Sequence, residues 1–274
     1  MAAYARDLIA GCGLPLLEAR MLLERALGVN RAWLIAHDDE TLPEAGVARF
    51  EDWAARRRDG EPMAYLLGER EFMGHLFHVS PAVLIPRPET ELLVETALAH
   101  VREIPSPRLL DLGTGSGAIA VSLALARPDA QVDATDLSPE ALAVAAGNAR
   151  RLGARVALLE GSWYEALNES AAAPIYDVIV SNPPYIAAGD PHLSQGDLRH
   201  EPDMALTDHA DGLQALRDIA RGAPAWLKPG GALWMEHGWD QAGQVRDLLR
   251  AAGFRHVESR RDLAGIERIS GGSL

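Results

Sequence analysis

The 274-residue sequence predicts a mostly parallel α/β sheet with helices on both faces, closed by an antiparallel hairpin and preceded by a small all-helical region. Three observations predict it. From Pro88 onward, short apolar β-rich runs alternate with helical stretches of about 10–15 residues, the mark of successive βα units. The last two β-like runs, Arg255–Arg261 and Ile266–Ser270, are joined by a short Ala264-Gly265 turn, and strands so closely linked must be antiparallel. Residues 1–70 read as helices only.

In order, Pro15 opens an amphipathic run with Leu17, Met21, Leu22 and Leu27 on one side, stopped by Gly28. Pro43-Glu44 opens another, carrying Val47, Phe50 and Ala54 and ending at Asp59-Gly60. Trp33, Phe50 and Trp53 are expected to fill this bundle's core. Short β segments follow, Glu71-Phe72-Met73 and Leu76–Val79, broken by Gly74, Pro81, Pro86 and Pro88, which suggests a hinge. The expected organisation is a helical domain over 1–70, a β-hairpin linker over 71–87 and an α/β domain over 88–274. In that domain a helix over 89–102 comes first. Strands are expected at Arg108–Leu112, Gln131–Thr135, Val156–Leu159, Tyr176–Ser181 and Ala232–Glu236. Helices are expected at Ala118–Ala126, Pro139–Leu152, and near 211–227 and 239–252.

Composition narrows the function. A hydrophobic share of 48% and a charged share of 24% are those of an ordinary globular protein. The net charge of −13 argues against nucleic-acid phosphate as main partner, since a basic face is expected there. Residues 1–75 hold nine Arg against thirteen Asp plus Glu, so no basic segment rescues that idea. The triplet Arg56-Arg57-Arg58 reads either as the solvated end of a helix or as a docking patch for an acidic partner. Cys12 is the only cysteine, which excludes an intrachain disulfide and fits a reducing compartment. No signal peptide or membrane span is expected, which places the chain in the cytoplasm. The only lysine, Lys228, sits in a turn, a poor fit to a Walker loop or a pyridoxal-phosphate Schiff base.

Asp111-Leu112-Gly113-Thr114-Gly115-Ser116-Gly117 leaves a strand and enters a helix. Glycines allow a tight turn and a ligand lying close to the main chain, and the helix start offers free N–H groups. The spacing is G-x-G-x-G, not the G-x-G-x-x-G of dinucleotide binders. Asp136 ends the next strand, where an acid takes up ribose hydroxyls. Asp111 either caps the turn or holds a ligand's amino group. Trp163 either covers the sheet edge or lies beside an adenine ring.

Asn182-Pro183-Pro184-Tyr185 ends the apolar run Tyr176–Ser181. Neither proline can donate to a sheet ladder, so the strand stops at Asn182 and turns out on a rigid backbone. Asn182 Oδ1 and the Pro183 carbonyl are two fixed acceptors able to hold both hydrogens of an –NH₂ group. The glycine loop, Asp136 and Asn182 close the first, second and fourth strands of the α/β domain, so they open on one crevice. That arrangement suggests group transfer to nitrogen.

These motifs resemble those of class I S-adenosylmethionine-dependent methyltransferases, with a Rossmann-like, mostly parallel sheet and an antiparallel C-terminal hairpin. Arg56–Pro62, Leu84–Glu91, Ser181–Ile186, Asp190–Leu193, Glu201-Pro202 and Glu236–Gly238 carry the resemblance further. They are similar over essentially the whole chain to the release factor glutamine methyltransferases, the PrmC/HemK family. The resemblance implies methyl transfer from S-adenosylmethionine, with S-adenosylhomocysteine as product. The acceptor it implies is the side-chain amide nitrogen (N5) of the glutamine in the Gly-Gly-Gln motif of class I bacterial-type peptide chain release factors. It implies that Asp111, Gly113, Thr114, Gly115, Ser116, Gly117, Asp136, Trp163 and Asn182 contact the methyl donor. Asn182, Pro183, Pro184 and Tyr185 would hold the glutamine. Residues 1–70 would recognise the substrate.

An amide nitrogen is a poor nucleophile because its lone pair is delocalised. Two acceptors could take both N–H bonds and aim the lone pair at the sulfonium methyl, while Tyr185 packs on the planar amide. The proton would leave to solvent. The strongest rival is an N6-adenine methyltransferase of DNA or RNA, because the same tetrapeptide would serve an exocyclic –NH₂; the acidic balance counts against it. A donor-sensing protein without catalysis and an NAD-linked oxidoreductase stand further off. The polar segment Ala187–Ala210 reads as a lid or partner contact. Its histidines, His192, His200 and His209, match no metal-ligand spacing, and no metal is expected. A monomer without membrane or direct nucleic-acid contact is expected.

Overall fold

A computed structural model describes residues 3–167 and 175–274. The chain divides into two compact units between Glu69 and Arg70. The first holds five helices: α1 (Ala5–Gly11), α2 (Leu16–Leu27), α3 (Arg31–Ala36), α4 (Glu44–Arg58) and α5 (Met63–Leu67). Pro15 and Pro43 stand at the N-caps of α2 and α4, and Gly28 ends α2 with φ 70°. The three shorter helices carry too few residues to show a period in sequence. Leu22, Leu23, Phe50 and Ala54 form the centre of this unit's core. Trp33 and Trp53 only border it, contrary to expectation, and Trp33 instead stacks on His37 with centroids 4.4 Å apart. The arginine triplet is tied down within the unit: Arg56 to Glu61, Arg57 to Glu18, and Arg58 to the Cys12 carbonyl.

The hairpin of β1 (Glu69–Phe72) and β2 (His75–His78) belongs with the second unit. Phe72 and Phe77 meet edge to face at 6.1 Å and are buried in that unit's core beside Leu93, Val94 and Leu123. A 3₁₀ turn over Pro88–Thr90 then leads into α6 (Glu91–His100), so the helix expected over 89–102 is shorter.

The main sheet contains β3 (Arg108–Leu112), β4 (Gln131–Asp136), β5 (Val156–Glu160), β6 (Tyr176–Ser181), β7 (Leu227–Glu236), β8 (Arg255–Arg261) and β9 (Glu267–Ser273). Their spatial order is β5-β4-β3-β6-β7-β9-β8, parallel from β5 through β7, with β9 antiparallel to both β7 and β8. Helices α7 (Ala118–Ala126), α8 (Pro139–Leu152), α9 (Asp203–Leu206), α10 (Gln214–Gly222) and α11 (Ala242–Ala251) fill the connections. β7 starts at Leu227, five residues before the expected start, because Leu227 pairs with Tyr176 ahead of a bulge. β9 runs on to Ser273 because Ser273 still pairs with Ala232.

All six residues of β6 are buried, and so are Leu109–Leu112 of β3, as strands covered on both faces require. From β3 the chain winds outward to β4 and β5, then returns to β6 on the other side. The β3–β6 boundary is therefore the topological switch point, where the carboxyl ends of parallel strands open a crevice.

Candidate active site

The glycine loop lies at this switch point. Gly113 and Thr114 both donate their N–H to the Thr135 carbonyl at 2.9 Å, which folds the loop back toward β4. Gly113 has φ 72°, and an added Cβ would lie 3.2 Å from the Trp163 ring. Gly117 has φ 81°, and its Cβ would lie 3.1 Å from that of Ala145, so its absence lets α7 and α8 approach.

The Asp136 carboxylate accepts the N–H of Gly115 at 2.8 Å and of Ser138 at 2.9 Å. Burial raises its pKa, against those backbone bonds. Asp111 lies beneath the loop, fully buried, and accepts the Thr114 hydroxyl at 2.7 Å and the Ala120 N–H at 3.2 Å, all through Oδ2. Its Oδ1 has no partner among the described residues. Burial pushes the Asp111 pKa up to about 7, outweighing the two hydrogen bonds.

Across the crevice, the Ser181 hydroxyl donates to the Leu112 carbonyl at 2.7 Å and locks the end of β6 to the end of β3. Asn182 Nδ2 donates to Thr90 Oγ1 at 3.2 Å. Thr90 Oγ1 donates to Glu236 Oε2 at 2.6 Å, and the Tyr185 hydroxyl donates to Glu236 Oε1 at 3.3 Å. Glu236 ends β7, the strand beside β6, and is 2% exposed. Burial lifts its pKa to about 7 despite the Thr90 and Tyr185 bonds, and burial likewise raises that of Tyr185.

These groups surround a cavity of about 290 Å³. Of the residues singled out in the sequence, Gly113, Thr114, Gly115, Ser116, Asp136, Trp163, Asn182 and Pro184 line it. Asp111, Gly117, Pro183 and Tyr185 do not. Asp111 and Gly117 support the loop from below, and Tyr185 packs partly buried against the core formed with Leu213 and Met235. Two further stretches contribute wall: Ala82, Val83, Leu84, Pro86 and Thr90, and, from the polar segment expected to act as a lid or partner contact, Pro202, Met204, Ala205, Thr207 and His209. The sequence signals for the first were the density of prolines around Pro86 and Pro88 and the family resemblance carried by Leu84–Glu91.

The segment 187–210 is more ordered than its composition suggests. It carries 3₁₀ turns at Pro191–Ser194 and Gly196–His200 and the short α9. Glu201, 5% exposed, accepts the Ile85 N–H at 3.0 Å and pairs with Arg87. This buried carboxylate fastens one wall of the cavity to the other. His209 reaches the cavity, while the His192 ring bonds to Asp190. Among the described residues, no group of three or more His, Cys, Asp and Glu gathers as a metal site.

Family models match both units: the PrmC N-terminal domain over residues 3–68 and the methyltransferase small domain over residues 88–196. The chain is 66% identical to the release factor glutamine methyltransferase of Bordetella pertussis, over 98% of each protein. It is 56% identical to that of Burkholderia pseudomallei, over 99% of this chain and 96% of the other. The chain belongs to the release factor glutamine methyltransferase family. Solved structures extend the likeness of fold. A Thermus thermophilus 16S rRNA methyltransferase superposes with a TM-score of 0.54 at 20% identity, over 75% of this chain and 49% of that one. A Pyrococcus furiosus methyltransferase gives 0.52 at 18% identity, over 81% and 97%. This member of the family thus has the class I methyltransferase fold, with its glycine loop and Asn182 facing one cavity.

Proposed function

We propose that this chain methylates the side-chain amide nitrogen (N5) of the glutamine in the Gly-Gly-Gln motif of class I bacterial release factors, with S-adenosylmethionine as donor. One observation carries the reading. Asn182 lies on the cavity wall with its Nδ2 engaged by Thr90, while its Oδ1 accepts no hydrogen bond from the described residues. A fixed acceptor opposite a glycine loop is what a weakly nucleophilic –NH₂ group needs.

The residues fit the donor. The loop's Gly113 brings main chain and the Trp163 ring together on the wall, where a flat base can lie. Asp136, at the end of β4, offers a carboxylate to ribose hydroxyls. Asp111 Oδ1 is buried and has no partner among the described residues, and an ammonium group nearby would restore the ionised form that burial disfavours. When bound, the sulfonium supplies an electrophilic methyl group. The chain's part is to orient the acceptor: Asn182 Oδ1 and the Pro183 carbonyl take the two amide N–H bonds, and the lone pair is left pointing across the cavity. Those acceptors also stabilise the positive charge that grows on nitrogen. Tyr185 is not on the wall, so its part in this reading is to steady the tetrapeptide through Glu236. Residues 1–70 recognise the protein substrate, and the hairpin that follows them packs in the core of the second unit.

Adenine N6 is the other planar –NH₂ group to consider. The net charge of −13 weighs against a phosphate-gripping enzyme, and the relatives named release factor glutamine methyltransferases support the protein substrate. The test offers radiolabelled S-adenosylmethionine with a purified release factor, DNA or RNA. Label on the release factor alone supports the proposal; label only on nucleic acid refutes it.

A further inference from the structure

The hydrogen bonds behind Asn182 form a chain with a direction. An ionised Glu236 can only accept, so the Thr90 hydroxyl must spend its single proton on Glu236 Oε2, at 2.6 Å. Thr90 Oγ1 then has only lone pairs to offer Asn182, and the group that meets it at 3.2 Å must be the Nδ2 donor. The Asn182 amide is planar. Fixing Nδ2 against Thr90 therefore points Oδ1 the other way.

We infer that Glu236 and Thr90 are positioning residues, which set the Asn182 amide so that its oxygen faces the substrate nitrogen. The inference rests on the proposed transfer to an –NH₂ group, because only then must Asn182 present an acceptor. With the amide reversed, Asn182 would offer N–H to N–H and the substrate would lose one of its two acceptors.

Burial makes the arrangement strict. Thr90 is 4% exposed and Glu236 2%, so the bond between them is shielded from bulk solvent. The second Glu236 oxygen receives the Tyr185 hydroxyl, so one carboxylate holds both ends of the Asn182–Tyr185 tetrapeptide. The other charges that face Glu236 are Glu89, from the turn before α6, and Arg268 of β9, one of each sign. Protonated, Glu236 could donate to Thr90 and free the Thr90 proton for Asn182 Oδ1. The chain's direction would reverse, and so would the amide.

Two variants separate this role from packing. Thr90→Ser keeps the hydroxyl, whereas Thr90→Val keeps the shape and removes it. On a release factor, Thr90→Ser should keep kcat within about 3-fold, and Thr90→Val should lower kcat by ~10²-fold with S-adenosylmethionine affinity unchanged by calorimetry. Glu236→Gln should lower kcat by about 10-fold and abolish the acid limb of the pH–kcat profile near pH 7. Equal kcat for Thr90→Ser and Thr90→Val would overturn the inference.

A second readout needs no turnover. In ¹⁵N-labelled protein without ligands, the Asn182 side-chain N–H pair should be widely split in wild type and Thr90→Ser, and should collapse toward solvent-like shifts in Thr90→Val. An identical pair in all three would overturn the inference even where kcat differs. A wild type that methylates no release factor would refute the proposed function instead, and the Asn182 resonances would then judge the hydrogen-bond chain alone.

Discussion

Asp136 accepts the Gly115 N–H at 2.8 Å, so the acid that ends β4 also holds the middle of the glycine loop. Any ribose contact by this carboxylate therefore comes from a group already bound to the loop. Asp136→Ala should weaken S-adenosylmethionine binding by roughly 1–3 kcal/mol, through the lost contact and a slacker loop. Calorimetry on the variant checks it. Unchanged affinity would remove Asp136 from the site.

Asn182→Ala deletes one of the two proposed acceptors and leaves the loop and Asp136 in place. Turnover should fall by about 10²-fold or more, with a modest loss of donor affinity. Asn182→Asp keeps an acceptor but sets a second carboxylate near Glu236, and it cannot donate to Thr90. Partial activity, between wild type and Ala, is expected from steady-state kinetics.

Glu201 joins the 187–210 segment to Ile85 and Arg87 through a buried carboxylate. Glu201→Ala should cost about 1–3 kcal/mol of stability, since a buried N–H and a guanidinium lose their partner. It should also raise KM for the donor, because Pro202–His209 wall the same cavity. Denaturant unfolding and initial rates measure the two effects. A stable variant with unaltered KM would contradict the role given to this link.

The buried Glu236 makes stability depend on pH with a definite sign. Its folded-state pKa is about 7 against 4.5 unfolded, so the folded protein holds the extra proton between those values. Stability from this group is full below pH 4.5, falls as pH rises toward 7, and is level above that. At about 1.4 kcal/mol per pKa unit the contribution is ~3 kcal/mol. Glu236→Gln should flatten that slope and gain stability relative to wild type between pH 5 and pH 8, while its turnover drops. Unfolding midpoints at the two pH values decide it.

A chain beginning at Arg70 keeps Phe72 and Phe77, which belong to the second unit's core. It should bind S-adenosylmethionine with near wild-type affinity and lose most activity on an intact release factor. Full activity without residues 1–69 would contradict the recognition role proposed for them.

Much of the fold was legible because parallel strands buried on both faces read as unbroken apolar runs, as in Tyr176–Ser181. The glycine loop and Asn182-Pro183-Pro184-Tyr185 were legible because their chemistry lies in consecutive residues. The pairing of Thr90 with Glu236 was not, although both lie in segments that carry the family resemblance. They are 146 positions apart and meet only because β7 lies beside β6 and α6 starts at the same end of the sheet. Neither residue type is distinctive alone. The Tyr185 hydroxyl bond was hidden for a related reason: its partner is a carboxylate invisible in its own segment. The order within 187–210 also depends on a distant partner, Glu201 finding Arg87.

In the proposed function Asn182 directs methyl transfer to a glutamine amide. Peptide mass spectrometry of a release factor, incubated with S-adenosylmethionine and either wild type or Asn182→Ala, tests it most directly. One methyl group on the Gly-Gly-Gln glutamine side chain is expected with wild type, and almost none with the variant over the same interval. A methyl group on any other residue, or equal glutamine methylation by both proteins, would contradict it.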